Sequence, residues 1–457
     1  MRPRKLRYIV LPSIAVAVAA TVGVVVTDAN ASAVPSAAAL SIARQTLAAG
    51  DGWASADGGT AGGSAADDAH VFVARTRAEL VAALGGDNAT NGANATPKII
   101  FIAGGIDGNV DADNQPLTCA DYADPEWNID AFLAAYDPAV WGRATKPAGP
   151  LEDARVRSAK NQGAHVNINV GSNTTLVGLG GSKVTGANLL LTKVNNVIIR
   201  NMRFEDANDC FPAWDPTDGA TGNWNSLYDT VTLSGATHVW VDHSNFSDGN
   251  HRDSAQPTYL GRPYQGHDGA LDIIRASDLV TVSNNWFFDH DKTMLIGSSN
   301  TVGADVGKLR VTLHHNRWQN VGQRAPRVRF GQVDLYDNYF VATDEDTYSY
   351  SWGVGVYASL YAENNFVLRS ADLPLDAFVY DWRGTAPGGL TELGTLTRVG
   401  TGPVVAANLL DAYNASHDPD ITTDAGFVPT LRPAPLTPTA EVPAYVIAQA
   451  GAAKLGI

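Results

Sequence analysis

The chain has 457 residues, 45% of them hydrophobic and 17% charged, enough for a sizeable folded core. Its formal net charge of −15 argues against a nucleic-acid partner, because an acidic surface repels phosphates. It has two cysteines, Cys119 and Cys210, and without CxxC spacing they argue against a zinc–thiolate centre.

The N-terminus reads as a targeting segment. Arg2, Arg4, Lys5 and Arg7 are basic, Tyr8 to Val26 is apolar, and Ala29-Asn30-Ala31 gives a small-residue cleavage site before Ser32. The alternative is a retained anchor, since the apolar run is just long enough to cross a bilayer. The expectation is a signal peptide over 1–31 and an exported, soluble mature chain with no membrane attachment. In that setting Cys119 and Cys210 can pair, and two buried free thiols are an equal alternative.

Residues 32–67, rich in Ala, Gly and Ser, form a lead-in whose order the periodicity does not decide. A single domain over 68–457 is expected to follow. Thr76-x-x-Glu79, then Leu80, Val81, Leu84 and Gly85, predicts a short capped helix. Lys98 to Ile106 reads as a buried strand.

From about residue 165 short alternating strands recur on a pattern of apolar-x-apolar-x followed by a polar pair. Their starting residues are Val197, Val239, Val280, Val311, Val333 and Ser359. One strongly alternating strand at a period of 20–30 residues, with insertions in the longer intervals, is the mark of a solenoid. Val197/Ile199, Val239/Val241, Val280/Val282, Val311/Leu313 and Val333/Leu335 should face the interior. Trp240/Asp242, Thr281/Ser283 and Arg310/Thr312 should face outward. Asn201, Asn245, Asn284 or Asn285, Asn316, Asn338 and Asn364 should align into a side-chain ladder. The fold class is all-β, a right-handed parallel β-helix with short capping helices. The helix near 77–84 would close one end. A C-terminal helix within Ala444 to Lys454 would pack at the other end or along the flank.

The stretch His267 to Arg329 carries most of the chemistry. Asp229, Asp268 and Asp272 are candidate calcium ligands, because calcium takes several carboxylate oxygens. Solvated surface aspartates are the alternative. Four residues of straight strand span ~13 Å, so either the backbone bends at Gly269 or Asp268 and Asp272 hold different ions. Lys292, Arg324, Arg327 and Arg329 form a cationic group in an acidic chain, suited to clamping carboxylates, with ion-paired surface residues as the alternative. His290, His314 and His315 lie on alternating strands and read as hydrogen-bonded structural residues. Asp242 and His243, adjacent on a strand, should point to opposite faces and are also taken as structural.

With these residues in view, the sequence resembles pectate lyases of polysaccharide lyase family 1. The resemblance runs from about Gly52 to the C-terminus. It is densest in FPAWDPTDG, WNSLYD, HVWVDHSNFSDG, GRPYQGHDGALDI, FDHDKTMLIGSS, RVTLHHNRWQNV and QRAPRVRFGQV. It implies a secreted, monomeric, calcium-dependent enzyme that cleaves polygalacturonate by β-elimination. It matches Asp229, Asp268 and Asp272 to the calcium ligands, Arg324 to the catalytic base, and Lys292 and Arg329 to substrate contacts. A further acidic ligand found in some members falls here on Leu227. A base of this kind implies an alkaline pH optimum, since a normal arginine titrates above ~12. Nearby Ca²⁺, Lys292 and Arg329 are expected to lower its pKa. The competing expectations are a hydrolase using paired carboxylates, a non-catalytic carbohydrate-binding solenoid, and a pectin lyase acting on methylated polymer.

Overall fold

The computed structural model describes residues 35–344 and 347–457, so the expected signal peptide lies outside the described residues. The chain winds into a parallel β-helix in which each coil adds one strand to each of three columns. The floor column is an eight-stranded sheet that includes Val231–Ser234, Leu271–Ile274, Leu295–Ile296, Arg327–Val328, Trp352–Gly355 and Val379–Trp382. The second column holds the alternating strands recognised in the sequence, and the third holds short strands such as Asn245–Ser247 and Trp286–Phe288.

The second column sets Val197, Val239, Val280, Val311, Val333 and Leu360 side by side. The last repeat is therefore in register at Leu360, not Ser359; a one-residue slip exchanges the two faces of a strand. The predicted inward residues are fully buried. Below them, in the third column, Phe204, Phe246, Phe287, Trp318 and Phe340 stack ring on ring through successive coils.

Most of the outward set also escapes solvent, Arg310 staying partly exposed. Trp240, Asp242, Thr281, Ser283 and Thr312 point away from the interior yet are buried, because the lead-in crosses over them. Backbone N–H groups of Trp53, Ala54 and Gly63 donate to the hydroxyls of Thr312, Thr281 and Thr175 at 2.8–3.1 Å. From the other end of the chain, Arg432 ion-pairs with Asp334 and Thr437 N–H donates to Asp337. Beneath this cover Asp242 binds Arg200 at 2.8 Å. Burial alone would raise the Asp242 pKa, but His243 and Arg200 outweigh it and hold the carboxyl below the usual range. Asp242 and His243 do not point to opposite faces as expected. The strand ends at Asp242, His243 turns with φ 45°, and its Nδ1 lies 2.7 Å from Asp242 Oδ2.

The asparagine ladder exists, with corrected membership. Asn285, Asn316, Asn338 and Asn365 pass side-chain hydrogen bonds at 3.1 Å from coil to coil. Asn201, Asn245 and Asn364 sit one position off. The first two accept instead from the backbone N–H groups of Ala453 and Ala452.

Helix Arg77–Leu84 places Leu80 and Leu84 in the main core. Thr76 caps it through Glu79 N–H, but the Glu79 carboxylate accepts from Arg75 N–H, so only half of the capping box forms. Toward the opposite end, helix Leu409–Asn414 buries Leu409, Leu410 and Tyr413 in the same core. The C-terminal helix Val442–Gln449 packs along the flank, with Val442 and Val446 against Tyr339, Val341 and Phe366.

A helical excursion between residues 119 and 166 was not anticipated, and its longest helix, Pro150–Val166, is not short. Its start is legible after the fact: Pro150 at the first turn, with Glu152 and Asp153 favouring the positive end of the helix dipole. A Cys119–Cys210 disulfide ties this excursion to the solenoid. No helix among the described residues is long and apolar enough to cross a membrane.

Candidate active site

The outward side chains of the floor sheet, read across successive coils, bring the predicted residues together. Asp272 lies beside Leu295, and Leu295 beside Arg327. One turn earlier in each coil, Gly269, Lys292 and Gln323 pair in parallel. Asp229 comes from the loop preceding the floor strand Val231–Ser234.

Asp229 and Asp272 converge over Gly269. A Cβ built on Gly269 would lie 2.4 Å from Asp272 Oδ1 and 2.7 Å from Asp229 Oδ1. Only glycine lets two carboxylates approach the backbone this closely. Gly269 N–H donates to Asp229 at 2.8 Å, Thr232 Oγ1 donates to it at 2.5 Å, and Leu295 N–H donates to Asp272 at 2.9 Å. Asp268 lies ahead of the strand that carries Asp272. Its partly exposed carboxylate is 3.7 Å from Lys292 Nζ and 3.9 Å from Arg324 Nη1.

The electrostatics follow from this crowding. Burial, then the neighbouring Asp268, pushes Asp229 up to about 7. Burial, then Asp229 and Asp268, pushes Asp272 well above the usual range. These are oxygen donors lacking enough positive charge, a set that fits a hard cation such as calcium. Leu227, half exposed, adds no carboxylate, but its N–H donates to the buried Asp209.

Arg324 has φ 61°, a left-handed backbone that turns it off the strand run. Burial alone would lower its pKa, but Asp268, Tyr350 and Asp272 outweigh burial and raise it. Among the protein's own groups, the carboxylates outweigh the cationic neighbours. Arg329 behaves differently. Burial, then Arg327 and Arg324, lowers it to about 10. Its guanidinium donates to Asn300 Oδ1 and the Gly297 carbonyl.

Sequence reasoning missed the network behind the site. His267 is buried and sets one ring nitrogen 3.1 Å from Asp206 and the other 3.0 Å from Asp253. His290 bridges Asp248 and the backbone carbonyl of Asp268. Asp248, Asp253 and His267 bring potential metal-ligand atoms within 4.8 Å of one another. A ring with a carboxylate at both nitrogens is best satisfied as an imidazolium, which repels a cation, so this cluster reads as an ionic brace behind Asp268. Its members are scattered over 85 residues (Asp206 to His290), and no local spacing signals it. His314 faces Asp51 and His315 faces Thr437, in the structural roles expected.

A parallel β-helix bearing buried carboxylates, a lysine and three arginines on one outer sheet has the character of a polysaccharide lyase. Comparison with known proteins bears on which kind. The sequence profile of the family described as pectate lyase matches residues 148–376. A pectate lyase from Bacillus subtilis (strain 168) is 44% identical over 425 residues, 91% of this chain and 95% of the relative. Pectate lyase E of Dickeya chrysanthemi is 38% identical over 337 residues, 73% of this chain and 70% of the relative. Among solved structures, a thermostable pectate lyase superimposes with a TM-score of 0.88 at 45% identity, over 90% of this chain and 99% of the other. A pectate lyase bound to a hexasaccharide gives 0.84 at 43% identity over the same shares. The chain belongs to the pectate lyase family, and is by that membership a polysaccharide lyase.

Proposed function

We propose that the chain is a secreted, calcium-dependent lyase that cleaves α-1,4-linked polygalacturonate by β-elimination, releasing unsaturated oligogalacturonides. It acts as a monomer after loss of residues 1–31, with 32–67 as a lead-in to one domain over 68–457. The observation that carries this reading is the convergence of Asp229 and Asp272 over Gly269, with Asp268 turned toward Lys292 and Arg324. The hexasaccharide-bound relative, 43% identical, supports a long sugar polymer as substrate.

Asp229, Asp268 and Asp272 would hold the ion. When bound, calcium neutralises the uronate carboxylate and so makes the adjacent C5 proton more acidic. Lys292 and Arg329 hold the sugar through its carboxylates and add positive charge where negative charge develops. Arg324 removes the C5 proton; the electron pair forms the C4–C5 double bond, the C4–O bond breaks, and the departing oxygen takes a proton from solvent. A neutral arginine is scarce below its pKa of ~12, so the rate should climb into the alkaline range.

The test is ultraviolet absorbance of polygalacturonate incubated with the 32–457 protein, with calcium and with a chelator. The expected result is a calcium-dependent rise, lost in Arg324→Lys. Reducing ends without absorbance would mean hydrolysis, and a rise that survives chelation with a preference for methylated polymer would mean a pectin lyase. A pH profile peaking below neutrality would remove Arg324 from the base role.

A further inference from the structure

Behind the candidate site lies a buried carboxylate that the proposed chemistry does not use. Asp209 sits in the turn between strands Arg203–Glu205 and Ala213–Asp215 and is 1% exposed. One of its oxygens accepts from Phe211 N–H at 2.8 Å, inside its own turn. The other accepts from Leu227 N–H at 3.0 Å, two residues ahead of Asp229. Its backbone N–H donates to the Gly266 carbonyl at 2.7 Å, two residues ahead of Asp268. The approach is close: a Cβ on Gly266 would lie 2.3 Å from Asn208 Oδ1. Asp209 therefore holds both loops that deliver these candidate calcium ligands, one through its side chain and the other through its main chain. The turn is itself fixed from the helical excursion. Gln162 accepts from Cys210 N–H at 3.0 Å and donates to Asn208 O at 2.8 Å, and Arg155 donates to Phe211 O at 2.7 Å.

We propose that Asp209 is a positioning residue for the calcium site: it sets the spacing between the loop before Asp229 and the loop before Asp268, so that their carboxylates meet around one ion. This rests on the calcium-dependent function proposed above. The choice of a carboxylate supports it. A turn that only had to close could use Asn or Ser, which bond the backbone without carrying a charge. A charged group is costlier to bury. Arg155 is the nearby cation, but it pairs with Glu152 at 2.7 Å, and among the described residues no cation lies within ion-pair distance of Asp209. Burial accordingly pushes the Asp209 pKa up to about 6. A divalent cation held by the two loops would favour the ionised carboxylate behind them, and by linkage the carboxylate would favour the ion.

The test follows calcium in two ways. Without substrate, it reads the rise in thermal midpoint with calcium concentration. With polygalacturonate, it reads the calcium concentration that gives half the maximal rate. It compares wild type, Asp209→Ala, Asp209→Asn and, as a control weakened elsewhere in the solenoid, Asn316→Ala. Asp209→Ala should raise the calcium needed about tenfold or more in both readouts, and keep kcat within about twofold once calcium saturates. Asp209→Asn, which keeps one acceptor oxygen, should fall between. Asn316→Ala should lose midpoint with no change in the calcium needed. An unchanged calcium requirement in both Asp209 variants overturns the role. So does an equal rise in Asn316→Ala, which would mean general loosening. If Asp209→Ala does not fold, Asp209→Asn against Asn316→Ala decides in the same way. A wild type that neither gains midpoint from calcium nor needs it to release unsaturated ends sinks the proposed function, and the positioning role with it. A wild type that needs calcium beside Asp209 variants that need no more sinks the positioning role alone.

Discussion

At the scale of single residues, the site is shaped by what Gly269 lacks. The sequence reading left two alternatives for Asp268 and Asp272, a bend at Gly269 or two different ions, because four residues of straight strand hold them too far apart. In the structure the backbone at Gly269 passes beneath the carboxylates of Asp229 and Asp272, which leave no room for a Cβ. Gly269→Ala should therefore push Asp229 and Asp272 apart without unfolding the coil. The expected outcome is a fall of about 100-fold in kcat/KM on polygalacturonate with a raised calcium requirement, and a thermal midpoint near that of wild type. Unchanged calcium dependence would mean that the two carboxylates do not share an ion. Asp229, Asp268, Asp272, Lys292, Arg324 and Arg329 could be singled out in the sequence with the help of the family resemblance, and the fold gathers them around one face of the floor sheet. The brace of His267, Asp206, Asp248 and Asp253 could not, because its charges meet only after successive coils have stacked.

At the scale of elements, alternation was enough to find the second-column strands and their inward faces. It was less able to fix the ladder, since each repeat offers two or three polar residues at the turn and only register selects among them. Asn316 shows what selection achieves. Its amide donates to Val282 O at 2.9 Å and to Asn338 Oδ1, while its carbonyl accepts from Asn285 N–H at 2.9 Å. Asn316→Ala leaves a buried carbonyl and a buried N–H without partners and should cost about 2–4 kcal/mol, read as a lower urea midpoint. A change within error would show that water or a neighbouring asparagine replaces the bonds. The helices between 119 and 166 were missed for the opposite reason. They form an excursion outside the repeat, and a reading tuned to period two passes over a period of 3.6.

At the scale of the whole molecule, the ends of the chain and the excursion are what turn a stack of coils into a protein. Residues 47–63 and 431–437 cover an outer face that the sequence alone would leave to solvent. The Cys119–Cys210 bridge closes a loop with a sequence separation of 91 and fastens the excursion next to Asp209, which accepts from Phe211 N–H and Leu227 N–H just ahead of Asp229. Replacing both cysteines by serine should lower stability by roughly 4 kcal/mol, from the loop entropy the bridge removes. Thermal unfolding would measure this, with faster proteolysis inside 119–166 as a second readout. An unchanged midpoint would mean that packing of Pro150–Val166 alone holds the excursion.

The sequence by itself determined the solenoid, the inward residues and the chemical character of the site. A two-residue alternation and a repeated polar turn are local signals, and the charged residues sit in short recognisable runs. Only the tertiary structure decided which asparagines meet, what covers the outward face, whether the cysteines pair, and which charges brace Asp268. Each of these depends on register between coils or on segments hundreds of residues apart, and no window of sequence contains both partners.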